Sequence, residues 1–194
     1  MPKKIKYIEE THQYFIGKKE VPSVSKLVSF AVGDSYTSIP LEYLQRASEY
    51  GTAVHEAIQT YEEKGEITQF FEEEMNKYLE LKKKYLLEVE KMEQIVTDGK
   101  NFGGRYDILD TQGILWDIKT TSKQYVDKWR WQLGFYYLGM GKEEKSAFVL
   151  YLPKKGKAKV ILIEPHTNEE CKNIIQMYND EINNSNNERV LLEE

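Results

Sequence analysis

Asp117 and Lys119 are the residues whose types and spacing first suggest chemistry in this sequence. They lie two positions apart in the apolar run "ILWDIKTT". Successive side chains of a strand point to opposite faces, so Asp117 and Lys119 share one face while Trp116 and Ile118 share the other. The run therefore predicts a strand with one apolar face and one face that carries an acid and a base.

Two turns near this strand predict that further carboxylates join Asp117. The segments "GKN" and "TQG" separate three strand-like runs, which predicts a three-stranded antiparallel meander. If the second turn centres near position 112, Asp107 lies opposite Asp117; if the first centres near 100, Glu93 lies opposite Asp107. Directly opposed residues have Cβ atoms about 4.5–5.5 Å apart, and like charges at that distance repel each other.

Such a row of carboxylates needs a compensating cation. Lys119 supplies a single positive charge, so the missing partner is most simply a hard divalent ion such as Mg²⁺ or Mn²⁺ held by oxygen ligands. Two alternatives stay open. The charged face could instead be exposed to solvent, with the carboxylate row an artefact of the assumed register and Lys119 an exposed lysine that blunts a strand edge. If the first strand is offset, Glu90 or Asp98 could take the position given to Glu93.

The rest of the chain predicts the elements that must position these residues. Strand-like and helical spacing alternate, which predicts an α/β fold with a central mixed, mainly antiparallel sheet flanked by helices. We expect a single domain over residues 1–186, with an N-terminal hairpin and helical part, and a loosely held tail over 187–194. The predicted elements are a hairpin around "IGKKE", a helix capped by Ser23, helices over 39–65 and 68–91, the meander, a helix that begins near 124 and stops at 139–141, strands in "SAFVLYLP" and "KVILIEP", and a helix over 167–184.

The composition restricts the kind of protein and site. The chain of 194 residues has a formal net charge of −5 and one cysteine, Cys171, which cannot form an internal disulfide or by itself hold an iron–sulfur cluster. No long apolar run and no signal-peptide pattern occurs, so we expect a cytoplasmic protein without membrane contact. The negative net charge argues weakly against a protein that coats nucleic acid. The densest basic patch near the predicted core is "PKKGKAK", residues 153–159, which is either a solvated hairpin tip or a phosphate-tracking surface.

Four short motifs follow one another along the chain. A predicted helix carries Gly-Thr-x-x-His, the following strands carry Gly-x-x-Asp and Asp-x-Lys, and the next helix carries Gln-x-x-x-Tyr. On these motifs the chain resembles the PD-(D/E)XK nuclease superfamily, specifically its RecB-like and phage-exonuclease branch. The opening "THQYFIGKKEVPSVSKLV" also resembles the N-terminal hairpin and helix of phage-type members. CRISPR-associated relatives carry a cysteine cluster for an iron–sulfur centre, and because this chain has only Cys171, that branch is disfavoured. The matching residues are Gly51, Thr52, His55, Gly104, Asp107, Asp117, Lys119, Gln132 and Tyr136.

The resemblance implies a restriction-endonuclease-like core with a divalent-metal site. Asp107 and Asp117 are then the principal metal ligands and act with Lys119 in catalysis, and the backbone carbonyl of Ile118 is a third ligand. Lys119 would orient or help deprotonate the attacking water and stabilise charge on the phosphoryl oxygens. His55 is expected as a further ligand, because imidazole suits Mn²⁺ better than Mg²⁺; the alternative is a capped or packed helix histidine.

The remaining expected site residues support the metal or the nucleic acid. Glu93 is expected as an additional metal ligand, with a supporting role as the alternative. Gln132 and Tyr136 lie one helical turn apart, and the resemblance assigns them to positioning DNA and the site, although Tyr136 could equally belong to the core of an amphipathic helix. Thr120 and Thr121 either donate to a backbone phosphate or cap the helix that follows.

The resulting expectation is a Mg²⁺- or Mn²⁺-dependent deoxyribonuclease using one or two ions and no iron–sulfur cluster. We expect an exonuclease that hydrolyses phosphodiester bonds during recombination or replication of a phage or mobile element, in the cytoplasm of a bacterial or phage-infected cell. DNA is the expected partner, with a homo-oligomer or a recombination protein as further partners. The alternatives are a catalytically inactive nuclease-fold module that binds DNA or protein, and a nicking or structure-specific endonuclease.

Overall fold

The computed structural model describes residues 4–33, 40–67 and 69–192. Its strands are β1 (Ile5–Ile8), β2 (Gln13–Ile16), β3 (Lys19–Val21), β4 (Val89–Val96), β5 (Gly104–Asp110), β6 (Leu115–Lys119), β7 (Ala147–Tyr151) and β8 (Lys159–Ile163). Its helices are α1 (Val24–Val32), α2 (Leu41–Lys64), α3 (Glu72–Tyr85), α4 (Val126–Gly139) and α5 (Asn168–Leu192), with a short 3-10 helix at Gln69–Phe71.

The central sheet has five strands in the order β4-β5-β6-β7-β8. Strands β4, β5 and β6 form the predicted antiparallel meander, β7 pairs parallel to β6, and β8 returns antiparallel to β7. The parallel pairing follows from the crossover through α4, because a helical crossover brings the chain back to start the next strand at the same end of the sheet. The predicted mixed, mainly antiparallel α/β fold is confirmed.

Helices cover both faces of this sheet. On one face, side chains of α1, α4 and α5 pack with sheet residues such as Leu115 and Val149. On the other face, α2 and α3 pack with Trp116, Ile118 and Leu150. The face of β6 that carries Asp117 therefore lies beneath helices, so the alternative of a solvent-exposed charged face is wrong.

A second, three-stranded sheet precedes α1 and is joined to the start of β5. It has the order β1-β2-β3, and Ser23 caps α1 as predicted, its hydroxyl accepting from the backbone N–H of Lys26 at 3.2 Å. Gly103 N–H donates to the Pro22 carbonyl at 3.1 Å, and Val24 N–H donates to the Gly103 carbonyl at 2.9 Å. These bonds place the N-terminal sheet beside the residues that lead to Asp107.

Two predicted element boundaries differ from the structure. The helix predicted over 68–91 ends at Tyr85, because Leu86 adopts a left-handed conformation with φ of 54°, and β4 then begins at Val89. Helix α5 continues past residue 186, where the predicted tail begins, because "SNNERVLL" contains no glycine or proline to end it. Residues 193–194 of that tail lie outside the described residues. None of the helices in the described ranges has the length and apolarity needed to cross a membrane.

Candidate active site

Strand β6 positions Asp117 and Lys119 at the centre of the sheet. Trp116 and Ile118 pack against α2 and α3, so the alternation predicted from the sequence is confirmed. Asp117 is 1% exposed, and Lys119 Nζ lies 2.6 Å from Asp117 Oδ2. The strand therefore holds a buried carboxylate with an ammonium group beside it.

Asp107 lies next to this pair on β5. The pairing of Ile108 with Trp116 and of Leu109 with Leu115 has the predicted register, which places Asp107 opposite Asp117 when it is continued by one residue. Asp107 Oδ2 accepts a hydrogen bond from the backbone N–H of Ile118 at 2.6 Å. The buried Asp107 carboxylate is thus fixed against β6.

Glu93 is the acidic residue of β4 that faces this group. The flanking pairs, Gln94 with Tyr106 and Met92 with Ile108, place it opposite Asp107 as predicted. Its φ of 50° departs from strand geometry, and its Oε2 accepts from Arg105 Nε at 2.8 Å.

The two alternatives to Glu93 have other partners. The Glu90 carboxylate is half exposed and lies 3.5 Å from Lys91 Nζ. Asp98 accepts hydrogen bonds from the backbone N–H groups of Lys100 and Asn101 and so stabilises the first turn of the meander.

His55 approaches the carboxylates from α2. Its Nε2 donates to the Ile118 carbonyl at 3.1 Å, and because a carbonyl can only accept, this bond assigns the ring proton to Nε2 in the neutral tautomer. Nδ1 then carries the lone pair and lies 3.6 Å from Asp107 Oδ1 and 3.8 Å from Glu93 Oε1. The structure therefore brings the predicted ligands His55 and Ile118 into contact with each other.

A glycine allows α2 to come this close to the sheet. A Cβ atom at Gly51 would lie 3.2 Å from Thr120 Oγ1, which is tighter than ordinary van der Waals contact. Thr120 directly follows Lys119, the last residue of β6. The Gly-Thr-x-x-His motif thus combines a close-packing position with the imidazole one turn later.

The donor set fits a hard divalent cation. One ligand atom from each of His55, Glu93 and Asp107 lies within 4.8 Å of the other two. Within the described residues, neither Glu93 Oε1 nor Asp117 Oδ1 accepts a hydrogen bond, although both atoms are buried. Buried carboxylate oxygens without donors are costly unless a cation compensates them.

The proximity of these groups shifts their proton affinities. Burial, and then the nearby Asp107 carboxylate, raises the pKa of Asp117 to about 6, against the lowering effects of Lys119 and His55. Burial lowers the pKa of His55, but Asp107 and Glu93 outweigh it, so that the pKa of His55 is raised. Burial therefore dominates the shift at Asp117, whereas the neighbouring carboxylates dominate the shift at His55.

Gln132 and Tyr136 lie on α4 beside the carboxylates. Gln132 Nε2 donates to the Tyr136 hydroxyl at 2.7 Å. Burial, together with Asp117 and Asp107, raises the pKa of the buried Tyr136, so its hydroxyl stays protonated. A Cβ atom at Gly104 would lie 3.1 Å from Tyr136 Cε1, so this motif glycine makes room for the tyrosine beside Asp107.

Thr120 and Thr121 lie on the wall of the same cleft as His55. Thr121 Oγ1 donates to the Lys123 carbonyl at 2.8 Å. Helix α4 begins at Val126 with Tyr125 at the N-cap position, so the alternative that either threonine caps this helix is wrong.

An open cleft of about 490 Å³ connects these side chains to solvent. It is lined by His55, Asp107, Lys119 and Gln132, and also by Arg105 and His12, which the sequence reasoning missed. Arg105 could have been found, because it lies two positions before Asp107 and so shares its face of β5. His12 reaches the cleft from the turn between β1 and β2, and no local pattern indicates that contact.

Comparison with known proteins gives one family. The model of the PD-(D/E)XK nuclease superfamily matches residues 66–194. No protein of curated function matches the sequence. Among solved structures, the crystal structure of SSO0001 is similar, at 17% sequence identity over 66% of this chain and 70% of that chain, with a TM-score of 0.39. On the family match, and with the mixed sheet of a restriction-endonuclease-like fold, this chain belongs to the PD-(D/E)XK nuclease superfamily.

Proposed function

We propose that this chain is a Mg²⁺- or Mn²⁺-dependent deoxyribonuclease that hydrolyses phosphodiester bonds through Asp107, Asp117 and Lys119. The observation that carries the proposal is the pair of buried carboxylates, Asp107 and Asp117, beside the Lys119 ammonium group, with Asp107 and Lys119 lining an open cleft. A protein that only binds DNA gains little from carboxylates that repel phosphate and each other.

The metal would be held by His55, Glu93 and Asp107, with Asp117 beside them, while the Ile118 carbonyl, predicted as a ligand, would hold the His55 ring in place from its other nitrogen. The His55 Nδ1 lone pair faces the carboxylates, while Nε2 donates to the Ile118 carbonyl on the other side of the ring. A bound divalent ion supplies Lewis acidity, which polarises the phosphate and favours loss of a proton from water.

Lys119 contributes a fixed positive charge in this mechanism. Its ion pair with Asp117 holds the ammonium group at the cleft, where it would orient the attacking water and stabilise the charge that grows on the phosphoryl oxygens. Asp107, fixed by the Ile118 N–H, keeps the metal-binding edge of β5 aligned with β6.

Gln132, Tyr136, Thr120 and Thr121 would position DNA. Gln132 and both threonines line the cleft, where their amide and hydroxyl groups can donate to phosphate oxygens. Tyr136 is buried, so its part is to orient the Gln132 amide through their hydrogen bond.

We assign the chain to the RecB-like and phage-exonuclease branch, as an exonuclease in recombination or replication of a phage or mobile element. The motifs and the N-terminal hairpin that joins β5 beside the site support this assignment. The reaction would then take place in the cytoplasm of a bacterial or phage-infected cell, and a homo-oligomer or a recombination protein would be the further partner.

The test is incubation of purified protein with end-labelled linear DNA and with covalently closed circular DNA, with Mn²⁺ or Mg²⁺ and with EDTA. We expect metal-dependent loss of the linear substrate, intact circles, and no cleavage by the folded variants Asp117→Ala and Lys119→Ala. Cleaved circles would indicate an endonuclease. DNA binding in EDTA without cleavage in any divalent metal would overturn the enzyme and favour a binding module.

A further inference from the structure

The β7–β8 connection is the most strongly basic segment near the cleft. Residues 153–159, here called the basic tip, carry four lysines and no acidic residue in a chain with a net charge of −5. Lys154, Lys155 and Lys157 are exposed. Because the carboxylates at the floor of the cleft repel phosphate, affinity for a DNA backbone must come from cations outside the metal cluster.

The sheet topology places the basic tip beside the catalytic strand. Strands β6 and β7 are parallel, with Lys119 paired to Tyr151, so both end at the same edge of the sheet. The backbone N–H of Leu152 donates to the Lys119 carbonyl at 2.7 Å. The tip thus begins next to the residue that faces the scissile phosphate in the proposed function.

Tyr50 on α2 links the cleft to the basic tip. Gly51 and Thr120 line the cleft, and Tyr50 precedes Gly51 on α2. Lys154 Nζ lies 5.1 Å from the centre of the Tyr50 ring. A strand that leaves Lys119 across Thr120 and Gly51 therefore meets Lys154 first.

Contacts on two sides hold the base of the basic tip in place. Tyr151 pairs with Lys159 in the antiparallel ladder, and Lys159 Nζ lies over the Tyr151 ring at 6.0 Å. On the helical side, Lys77 Nζ donates to the Pro153 carbonyl at 3.2 Å. The exposed lysines thus project from an anchored hairpin.

We propose that the basic tip binds the backbone phosphates of the DNA strand flanking the scissile bond. Lys154, at the Tyr50 rim, contacts the phosphate nearest the site, and Lys155 and Lys157 contact those farther out. This inference rests on the proposed function, because it takes DNA as the occupant of the cleft. An ammonium group on a hairpin recognises phosphate without reading the bases, which suits a nuclease that acts on any sequence.

The test compares two double variants that each remove two exposed positive charges. Lys155→Gln/Lys157→Gln alters the basic tip. Lys142→Gln/Lys145→Gln is the matched control, because these exposed lysines precede β7 and so lie at the opposite end of that strand. For each protein, kcat and KM of DNA cleavage are measured with Mn²⁺, and DNA binding is measured in EDTA over a series of salt concentrations.

The tip variant should keep kcat, raise KM by about threefold to tenfold, and reduce the slope of log affinity against log salt by about 1–2, whereas the control should match wild type. Unchanged KM and salt slope in the tip variant, or equal changes in both variants, with an active wild type, would overturn the tip proposal alone. A fall in kcat without a change in KM would also overturn it. A wild type that neither binds nor cleaves DNA would overturn the proposed function together with it.

Discussion

The charge on Asp117 should couple the stability of the metal-free protein to pH. Its pKa is about 6 in the folded protein and 3.8 ordinarily, so the folded state binds this proton more tightly than the unfolded state. The stabilising contribution of this group is therefore fully present below pH 4 and is lost as pH rises through 6. At pH 8 the loss is about 3 kcal/mol.

Asp117→Asn should remove this loss of folding stability at high pH, and it should also abolish DNA cleavage. We expect the metal-free variant to be more stable than wild type at pH 8 by about 2 kcal/mol, which is less than the full effect because Lys119 loses its partner carboxylate, with a difference that shrinks towards pH 4. Urea unfolding in EDTA at several pH values measures the difference in free energy of unfolding. Equal stability of the two proteins at pH 8 would show that Asp117 is not a buried charge.

Lys119→Met should change stability in the opposite direction. The ammonium group lies 2.6 Å from Asp117 and lowers the pKa of that carboxyl, so its removal leaves a buried charge without its neighbouring cation. We expect a loss of about 2 kcal/mol or more in the metal-free protein at pH 8, together with loss of DNA cleavage. The matched control is Lys91→Met, at an exposed ion pair on β4, which should change stability by less than about 1 kcal/mol. Equal loss of stability in both variants would show that the buried Asp117–Lys119 pair stabilises the fold no more than an exposed ion pair does.

The residues of the site were predictable where local geometry determines them. Strand alternation and two short turns are sufficient to bring Asp107 beside Asp117 and Lys119, because side-chain period and hairpin register leave few other arrangements. The hydrogen bond from His55 to the Ile118 carbonyl was not predictable, because it depends on how closely α2 approaches the end of β6. The left-handed φ of Glu93, within a regular-looking strand, was also not predictable.

Close packing of β5 against α1 and α4 explains the second motif glycine. A Cβ atom at Gly104 would lie 2.5 Å from Val24 Cγ2, a buried branched side chain, as well as 3.1 Å from Tyr136. At Gly51 the nearest atom is Thr120 Oγ1 at 3.2 Å, at the end of a short side chain near the cleft. A Cβ atom would therefore clash more severely at Gly104 than at Gly51.

Gly104→Ala should destabilise the protein more than Gly51→Ala does. We expect a loss of about 1–3 kcal/mol for Gly104→Ala, because α1 and Tyr136 must both move, and a smaller change for Gly51→Ala, because the higher helix propensity of alanine offsets the close contact with Thr120. Thermal or urea unfolding compares the two variants. A larger loss at Gly51 would contradict this packing of β5.

Element types were more predictable than element ends. The meander, α4 and the β7–β8 pair follow from changes of hydrophobic period along the chain. The end of α3 was predicted several residues too late, because its charged residues continue with helical composition and only the left-handed Leu86 ends it. Glycine in the sequence indicates that a helix can end in a left-handed conformation, and Gly65 ends α2 as predicted. Leucine gives no such indication.

Cys171 reports on the integrity of the whole molecule. It lies on α5, where its side chain is 0% exposed and faces Gly134 of α4. Burial, followed by the nearby Glu170 and Glu144 carboxylates, raises the pKa of its thiol to about 12. Thiolate is the reactive form, so the native protein should resist a thiol reagent at pH 8, whereas protein in denaturant should react with one equivalent. Labelling followed by mass spectrometry measures this. Rapid reaction of the native protein would show that α5 does not cover the sheet as described.

The burial of the charged face is a property of the whole arrangement. The sequence indicates a strand with one polar face, and such a face is often solvated in antiparallel sheets. Here α1 and α4 cover it, and α2 contributes His55 from the other side of the sheet. Contacts between segments so far apart in the chain determine that the carboxylates lie in a cleft and not in open solvent.

Manganese binding measured by titration calorimetry is the decisive measurement for a cation site built from these carboxylates. Wild type should take up Mn²⁺, Asp107→Asn should bind it at least tenfold more weakly, and Asp98→Asn, at a turn carboxylate outside the cluster, should bind like wild type. Absence of manganese uptake by wild type, or equal uptake by wild type and Asp107→Asn, would show that no such metal site exists.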